Sequence, residues 1–190
     1  SRYSYIHQLH WEALERPDIT REQVLTGRFS VLFGELGVSV DPQECAGRYT
    51  KNLALGSDII PGAEDVLKAL PKKYKLYLAS NGTATVQHSR LTSADLYKYF
   101  EKVFVSQEIG HNKPSREYFS ACFAQIPGFD RSKAIIVGDS LTSDILGGIN
   151  AGIATCWVNP RHAIAPNHLK PDYEIEALHQ LPALLESLMK

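Results

Sequence analysis

The stretch AIIVGDSLTSD, residues 134–144, joins an apolar run to a glycine and two aspartates, Asp139 and Asp144. Its consecutive apolar residues predict a strand that is buried on both faces, as in a parallel sheet. A carboxylate just past such a strand, followed by a second one, offers the hard oxygen ligands that Mg²⁺ prefers. An acidic residue near a helix N-terminus is explained equally well by the helix dipole. The stretch alone therefore leaves a metal site and a plain helix start both open.

The segments around this stretch alternate between strand and helix patterns from Gly56 onward. Strands are predicted at residues 74–80, 103–106, 133–139 and 154–158. One helix is predicted to begin near Pro61, and a second to follow the first strand and end at about Leu96. Further helices are predicted over residues 115–126 and 144–151 and near residues 178–189. This order predicts a Rossmann-like α/β core whose parallel sheet is flanked by helices. Ligands of such sheets bind outside the carboxyl ends of the strands, so residues just past a strand are the candidates for a site.

The first 56 residues carry helix patterns only. Apolar residues recur at helical spacing over residues 2–15, Thr20 and Gln23 form a capping-box pattern, and Asp41 with Pro42 marks another helix start. We therefore expect two domains: a small all-helical domain over residues 1–56 and the α/β core over residues 57–190.

Composition excludes several classes of protein. Twenty basic and 21 acidic residues leave a formal net charge of −1, so no general positive field is available for nucleic acid or an anionic membrane. No segment has the apolar length of a membrane helix, and the N-terminus lacks the apolar block of a signal peptide. The three cysteines, at positions 45, 122 and 156, have no paired spacing and are expected to be reduced thiols. A cytoplasmic location is the expectation that follows.

Two further segments place polar residues just past predicted strands. Ser80, Asn81 and Gly82 follow the strand YKLYLA, where a hydroxyl and backbone N–H groups could cradle a phosphate oxygen. A simple turn, with Asn81 and Gly82 supplying permissive backbone angles, explains the same residues. Lys113, in the loop GHNKPS, is expected at the same edge of the sheet, although a lysine is usually a solvated surface charge.

Taken together, these residues resemble the motifs of the haloacid dehalogenase (HAD) superfamily. The resemblance lies in Ser80 after a strand, Lys113 about thirty residues later, and the pattern GD-x4-D that contains Asp139 and Asp144. The stretches VGDSLTSDILGGINAGIATCWVNP and LASNGTATVQHSRL look most like its pyrimidine and non-canonical nucleotide 5′-nucleotidase branch (YjjG type). In that family the helical unit before residue 57 would be a small inserted cap.

The resemblance implies a role for each residue. Ser80 would bind the phosphoryl group, with the backbone around Asn81 and Gly82 helping, and Lys113 would neutralise charge on phosphate and nucleophile. Asp139 would ligate Mg²⁺, and Asp144 would support the metal through water or orient Lys113. The implied activity is Mg²⁺-dependent hydrolysis of a nucleoside 5′-monophosphate through an aspartyl phosphate, by a monomer or weak homodimer. The partner would be a small-molecule phosphate ester.

One motif of the family is absent. Its first motif, D-x-D-x-T/V at the end of a central strand, supplies the nucleophile, yet no D-x-D occurs in the 190 residues and residues 1–56 contain no apolar strand. We expect the sequence to be an N-terminally shortened form of a longer protein, with the helical domain incomplete at its N-terminus and the first core strand missing. We also expect these 190 residues alone to be inactive. Alternatives are a sugar-phosphate phosphatase, a 2-haloacid dehalogenase, or a non-catalytic phosphate-binding protein.

The helical segment contains a few further candidates. His7 and His10 lie about one turn apart and could bind zinc, but no third ligand is near them in sequence. Trp11 and Tyr3 could stack on a nucleobase, and Arg28 could reach a substrate carbonyl or phosphate. The simpler interpretations are core aromatics for Trp11 and Tyr3 and an exposed helix arginine for Arg28. The two histidines would then line one face of the cap.

Overall fold

The computed structural model describes residues 1–189. The chain divides into two compact units, Ser1–Gly56 and Ser57–Lys190. The first unit is helical, as its sequence pattern predicts. It consists of α1 (Arg2–Glu15), α2 (Arg21–Leu36) and α3 (Pro42–Leu55). No helix in the described residues has both the length and the apolar character needed to cross a membrane.

The ends of these helices follow from local hydrogen bonding. The Thr20 hydroxyl accepts a bond from the Gln23 N–H while the Gln23 side chain accepts one from the Thr20 N–H, which completes the predicted capping box. The Asp41 carboxylate caps α3 through the Gln43 N–H. The buried apolar side chains of the unit are Ile6, Leu14, Val24, Phe29 and Ala46.

The second unit has the predicted α/β order. Its strands are β1 (Tyr77–Ser80), β2 (Lys102–Val105), β3 (Ile135–Gly138), β4 (Ala154–Val158) and β5 (Tyr173–Ile175). Its helices are α4 (Ala63–Ala69), α5 (Ala84–Ser93), α6 (Ser106–Ile109), α7 (Arg116–Phe123), α8 (Leu146–Ala151) and α9 (Leu181–Leu188). All strand pairs are parallel, which confirms the expected α/β class.

Several predicted boundaries were wrong. The first strand begins at Tyr77 rather than at residue 74, because the Tyr74 N–H still closes a turn on the Leu70 carbonyl. The strand β5 and the short helix α6 were not predicted, since three or four residues are too few to show a period. Residues 141–145 form a turn of π-helix, so Asp144 lies inside that turn and not at the start of a regular helix.

The strands of this unit lie in one layer between two groups of helices. On one face, α4 and α9 pack against a cluster that includes Leu76, Val137 and Cys156. On the other face, α7 packs against a cluster that includes Ala79 and Ile136. Residues on or next to β1 and β3 thus contribute to both faces, as neighbours in a single sheet would. The buried thiols of Cys122 and Cys156 belong to these clusters, and burial raises the pKa of each to about 11.

This layer is nevertheless divided in the middle. β1 pairs with β2, and β3 pairs with β4, but within residues 1–189 no strand pairs with the other edge of β1 or of β3. Every residue of β1 and β3 is only half-buried, whereas the inner positions of β4 are fully buried. Central strands of a parallel sheet are normally the most buried, so β1 and β3 behave as edges of a gap.

Candidate active site

Lys113 lies at the carboxyl ends of β1 and β3 and is buried, with only 6% of its surface exposed. Its Nζ donates to Asp144 Oδ1 at 2.5 Å and to the carbonyl oxygen of Ala79, on β1, at 2.9 Å. A buried ammonium needs both charge compensation and hydrogen-bond acceptors, and these two contacts supply them. The lysine is therefore fixed in place and is not the solvated surface charge of the simpler interpretation.

Asp144 is held by the turn that follows β3. Its Oδ2 accepts a hydrogen bond from the Ser140 N–H at 3.2 Å, so both of its oxygens are engaged. The carboxylate also lies against Gly138, where an added Cβ would come within 2.1 Å of Asp144 Oδ2. With both oxygens occupied, Asp144 is placed to orient Lys113 and less suited to ligating a metal directly.

Asn81 ties the loop after β1 to the two other segments. Its side-chain oxygen accepts from the Lys113 N–H at 2.8 Å, and its Nδ2 lies 2.9 Å from the Lys113 carbonyl and 3.2 Å from Ser143 Oγ. The sequence interpretation assigned Asn81 a backbone role and did not single out Ser143. Sequence periodicity cannot reveal these contacts, because the partners of Asn81 lie 32 and 62 positions away in the chain.

Replacing Asn81 by alanine is expected to lower the free energy of unfolding by about 1–3 kcal/mol, since it leaves polar groups of the Lys113 backbone without partners. Chemical denaturation measures the change. The matched control is Asn52→Ala on the exposed surface of α3, for which we expect a change within about 0.5 kcal/mol. Equal stability of the two variants would contradict the assigned role of Asn81.

Ser80 and Asp139 are the remaining candidate residues at these strand ends. Ser80 Oγ accepts from the Gly82 N–H at 3.0 Å, which places the hydroxyl at the end of β1 beside Asn81. Asp139 is exposed, and its carboxylate makes no hydrogen bond or ion pair within residues 1–189. Its backbone carbonyl accepts from Trp157 Nε1 at 3.0 Å, a contact from the buried face of β4 that the sequence interpretation missed.

One residue at these strand ends, Asp139, could serve as a ligand for a magnesium ion. Mg²⁺ usually takes one or two carboxylates together with waters and substrate phosphate, and the free Asp139 carboxylate matches that requirement. Within the described residues no group of three or more His, Cys, Asp or Glu side chains could hold a metal ion by itself. His7 and His10, the candidate zinc ligands, likewise have no third ligand among the described residues. Their ring nitrogens have other partners: His10 Nδ1 lies against the Ile6 carbonyl, and His7 contacts Arg28 and Trp11. Arg28 itself is only 2% exposed, so the expectation of an exposed helix arginine was wrong.

Known proteins resemble this chain in sequence and fold. A family profile described as haloacid dehalogenase-like hydrolase matches residues 17–158. The HAD-hydrolase YfnB of Bacillus subtilis is 38% identical over 185 residues, covering 97% of this chain and 79% of YfnB. A crystal structure of YfnB bound to magnesium superposes with a TM-score of 0.91, covering 96% of this chain and 80% of that one.

Two relatives are named for an activity. The pyrimidine 5′-nucleotidase PynA of Streptococcus pneumoniae is 37% identical, covering 94% of this chain and 76% of PynA. The pyrimidine 5′-nucleotidase YjjG of Escherichia coli is 34% identical, covering 96% of this chain and 80% of YjjG. Both likenesses extend over both units of the chain. The protein belongs to the haloacid dehalogenase-like hydrolase family, in its YjjG-like branch.

Proposed function

We propose that this protein is a Mg²⁺-dependent phosphatase whose substrates are nucleoside 5′-monophosphates. The observation that carries the proposal is the fixed ammonium of Lys113, held between Asp144 and β1 at the strand ends where Ser80 and the free carboxylate of Asp139 also lie. A fixed cation beside a hydroxyl and a metal-binding carboxylate suits a phosphoryl group. The names of PynA and YjjG support a pyrimidine nucleotide as the substrate.

Each residue has a task in this proposal. Ser80 binds a phosphoryl oxygen through its hydroxyl, which the Gly82 N–H positions by donating to Ser80 Oγ, and Lys113 neutralises charge on the phosphate. Asp139 ligates Mg²⁺, and Asp144 keeps Lys113 aimed at the phosphate. The magnesium in the YfnB structure supports this choice of metal. When bound, Mg²⁺ supplies positive charge that stabilises the transferring group.

The nucleophile of the proposed reaction is none of these residues. We assign it to an aspartate on a strand outside Ser1–Lys190 that fills the gap between β1 and β3. The unpaired edges and half-exposed faces of those two strands support this assignment. The aspartate oxygen forms a bond to phosphorus while the bond to the ester oxygen breaks, and the leaving alcohol takes up a proton. Water then attacks the phosphorus, releases inorganic phosphate and restores the carboxylate.

Two proteins test the proposal: the 190-residue chain, and the same chain preceded by the upstream segment of its gene. We expect the longer protein to hydrolyse nucleoside monophosphates in Mg²⁺ at least about 10³ times faster than the chain alone. A panel of pyrimidine and purine nucleotides, sugar phosphates, an aryl phosphate and a 2-haloacid identifies the substrate class.

Two controls accompany this panel. In the longer protein, Asp139→Asn removes the proposed metal ligand and is expected to abolish turnover. The second variant, Asp172→Asn, keeps the proposed site intact, because Asp172 is bonded to Thr155 and lies away from these strand ends. Turnover by the 190 residues alone that Asp139→Asn abolishes would contradict the assignment of the nucleophile. Release of halide without Mg²⁺ would instead favour a dehalogenase.

A further inference from the structure

Trp157, on β4, carries a buried indole whose N–H needs an acceptor. Only 4% of the surface of Trp157 is exposed, and its backbone pairs with Gly138 of β3 on one side and with Glu174 of β5 on the other. An indole N–H can only donate, and a buried one usually has a partner. The partner here is the backbone carbonyl of Asp139, 3.0 Å from Trp157 Nε1. Trp157 is thus a donor that two neighbouring strands hold in place.

Asp139 lies just past the paired part of the sheet. β3 ends at Gly138, the last residue of that strand in register with β4, and the π-helical turn begins at Leu141. Asp139 therefore belongs to a two-residue connection between the strand and the turn. The Ser140 N–H holds one end of this connection by donating to Asp144. The bond from the indole holds the other end, at Asp139 itself.

The direction of the Asp139 side chain depends on this backbone. Its carboxylate is exposed and makes no hydrogen bond or ion pair within residues 1–189, whereas both oxygens of Asp144 are engaged. An aspartate side chain has two torsions and a few preferred rotamers, so a displacement of its backbone moves every position that the carboxylate can reach. The bond from Trp157 therefore limits where the Asp139 carboxylate can lie.

A metal ligand has to be placed more accurately than a surface acid. Mg²⁺ demands near-ideal octahedral geometry at short oxygen distances, so a small displacement of a ligand weakens its binding. Groups that orient metal ligands without touching the metal typically contribute about 10- to 100-fold to metal affinity. A buried ring on a strand that is paired on both edges suits this task, because it cannot follow a ligand that moves.

We propose that Trp157 is a positioning residue, which orients the Asp139 carboxylate for Mg²⁺ through its indole N–H. The role of Asp139 as a metal ligand rests on the proposed function, whereas the contact between the indole and Asp139 does not. Trp157 touches neither metal nor substrate in this proposal, because it acts through the backbone carbonyl. The alternative is that the bond only satisfies a buried donor. It would then contribute to stability and not to metal binding.

Removal of the indole N–H from the longer protein tests this role by calorimetric titration with Mg²⁺ in the absence of substrate. 3-Benzothienylalanine, introduced at position 157 by codon suppression, replaces the N–H by sulfur and nearly keeps the size of the ring. We expect the Kd for Mg²⁺ to rise about 10-fold, the lower end of the range for a group that orients a ligand. Trp157→Phe, which has a smaller ring and no N–H, is expected to weaken binding at least as much.

The nucleotidase assay provides a second readout. The Mg²⁺ concentration that gives the half-maximal rate should rise by the same factor as the Kd. The kcat at saturating Mg²⁺ should stay within about 2-fold of wild type, because bound metal restores the position of the carboxylate. A purely structural role for Trp157 would not produce this separation of metal affinity from kcat.

Tyr118→Phe is the matched control for a general loss of stability. Tyr118 is fully buried in the same unit, and its hydroxyl donates to the Phe104 carbonyl, on β2, at 2.8 Å. This substitution likewise removes one bond from a buried ring to a backbone carbonyl, but not a bond to Asp139. We expect it to lower the midpoint of urea denaturation about as much as loss of the indole N–H does. Mg²⁺ affinity should remain unchanged.

The possible outcomes are distinct. A Kd for Mg²⁺ within about 2-fold of wild type in the benzothienyl variant overturns the positioning role, and so does an equal loss of Mg²⁺ affinity in Tyr118→Phe. If Trp157→Phe does not fold, as judged by circular dichroism, the benzothienyl variant decides the question.

The positioning role and the proposed function can fail separately. A longer protein that hydrolyses nucleotides, with Mg²⁺ affinity insensitive to the indole N–H, overturns the positioning role alone. Mg²⁺ binding that depends on the indole N–H, in a protein that hydrolyses no phosphate ester, overturns the proposed function and leaves the positioning role in place. A longer protein that binds no Mg²⁺ overturns both.

Discussion

Replacing Lys113 by methionine is expected to lower the free energy of unfolding of the α/β unit by about 3–5 kcal/mol, the usual cost of removing one partner from a buried ion pair. The side chains of Lys113 and Asp144 are only 7% and 10% exposed. Without the ammonium, the Asp144 carboxylate keeps its bond from Ser140 but loses its charge partner, and the carbonyl of Ala79 loses a donor. Methionine fills a similar volume, so the loss of packing is small.

Urea denaturation followed by fluorescence measures this change. The chain has two tryptophans, and in a Trp11→Phe background the remaining signal comes from Trp157 in the α/β unit. The double variant Lys113→Met, Asp144→Asn is the control, because asparagine can still accept from Ser140 but carries no charge. We expect it to be more stable than Lys113→Met alone. Should the single variant unfold at the wild-type urea concentration, Lys113 is not held by a stabilising ion pair.

The sequence predicted most of the architecture because its signals were local. Apolar runs, the capping box at Thr20 and the Asp41–Pro42 start each depend on residues within one turn or strand of one another. The missed elements are short or depend on distant partners. Strand β5 is three residues long and exists because it pairs with β4, and the π-helical turn at 141–145 allows Asp144 to reach Lys113.

Part of the candidate site could also be predicted from the sequence. Rules for parallel sheets predict Ser80, Lys113 and Asp139 at one edge, and the structure brings the segments that carry them together through Asn81 and Asp144. What the sequence could not reveal is which atoms meet. The Asn81 side chain and Trp157 Nε1 contact residues 18 to 62 positions away, and neither contact produces a pattern in the chain.

Gly138, the residue before Asp139, has a steric role that is not evident from its position at the end of a strand. Gly138 ends β3, and a Cβ there would lie 2.1 Å from Asp144 Oδ2, 2.3 Å from its Cγ and 2.5 Å from its Cβ. All three distances are shorter than van der Waals contact. Asp144 cannot move aside cheaply, because it is buried and bonded to both Lys113 and Ser140.

Gly138→Ala is therefore expected to lower the free energy of unfolding by about 3–5 kcal/mol, since the methyl group must displace Asp144 and break the buried ion pair. In the longer protein that we propose, we expect the same change also to reduce turnover, because Lys113 would lose the group that orients it. Urea denaturation and a nucleotidase assay measure the two effects.

Gly47→Ala provides the matched control for this substitution. Gly47 lies on the exposed surface of α3, and apart from its chain neighbours and the backbone of its own helix nothing lies within 4 Å of the position that a Cβ would take. Alanine there should stabilise the helix by up to about 1 kcal/mol, because it lowers the entropy of the unfolded chain and favours helix. Opposite signs for the two glycine-to-alanine changes are the expected result. If Gly138→Ala were as stable as wild type, the close approach of β3 to Asp144 could not be what holds Lys113 in position.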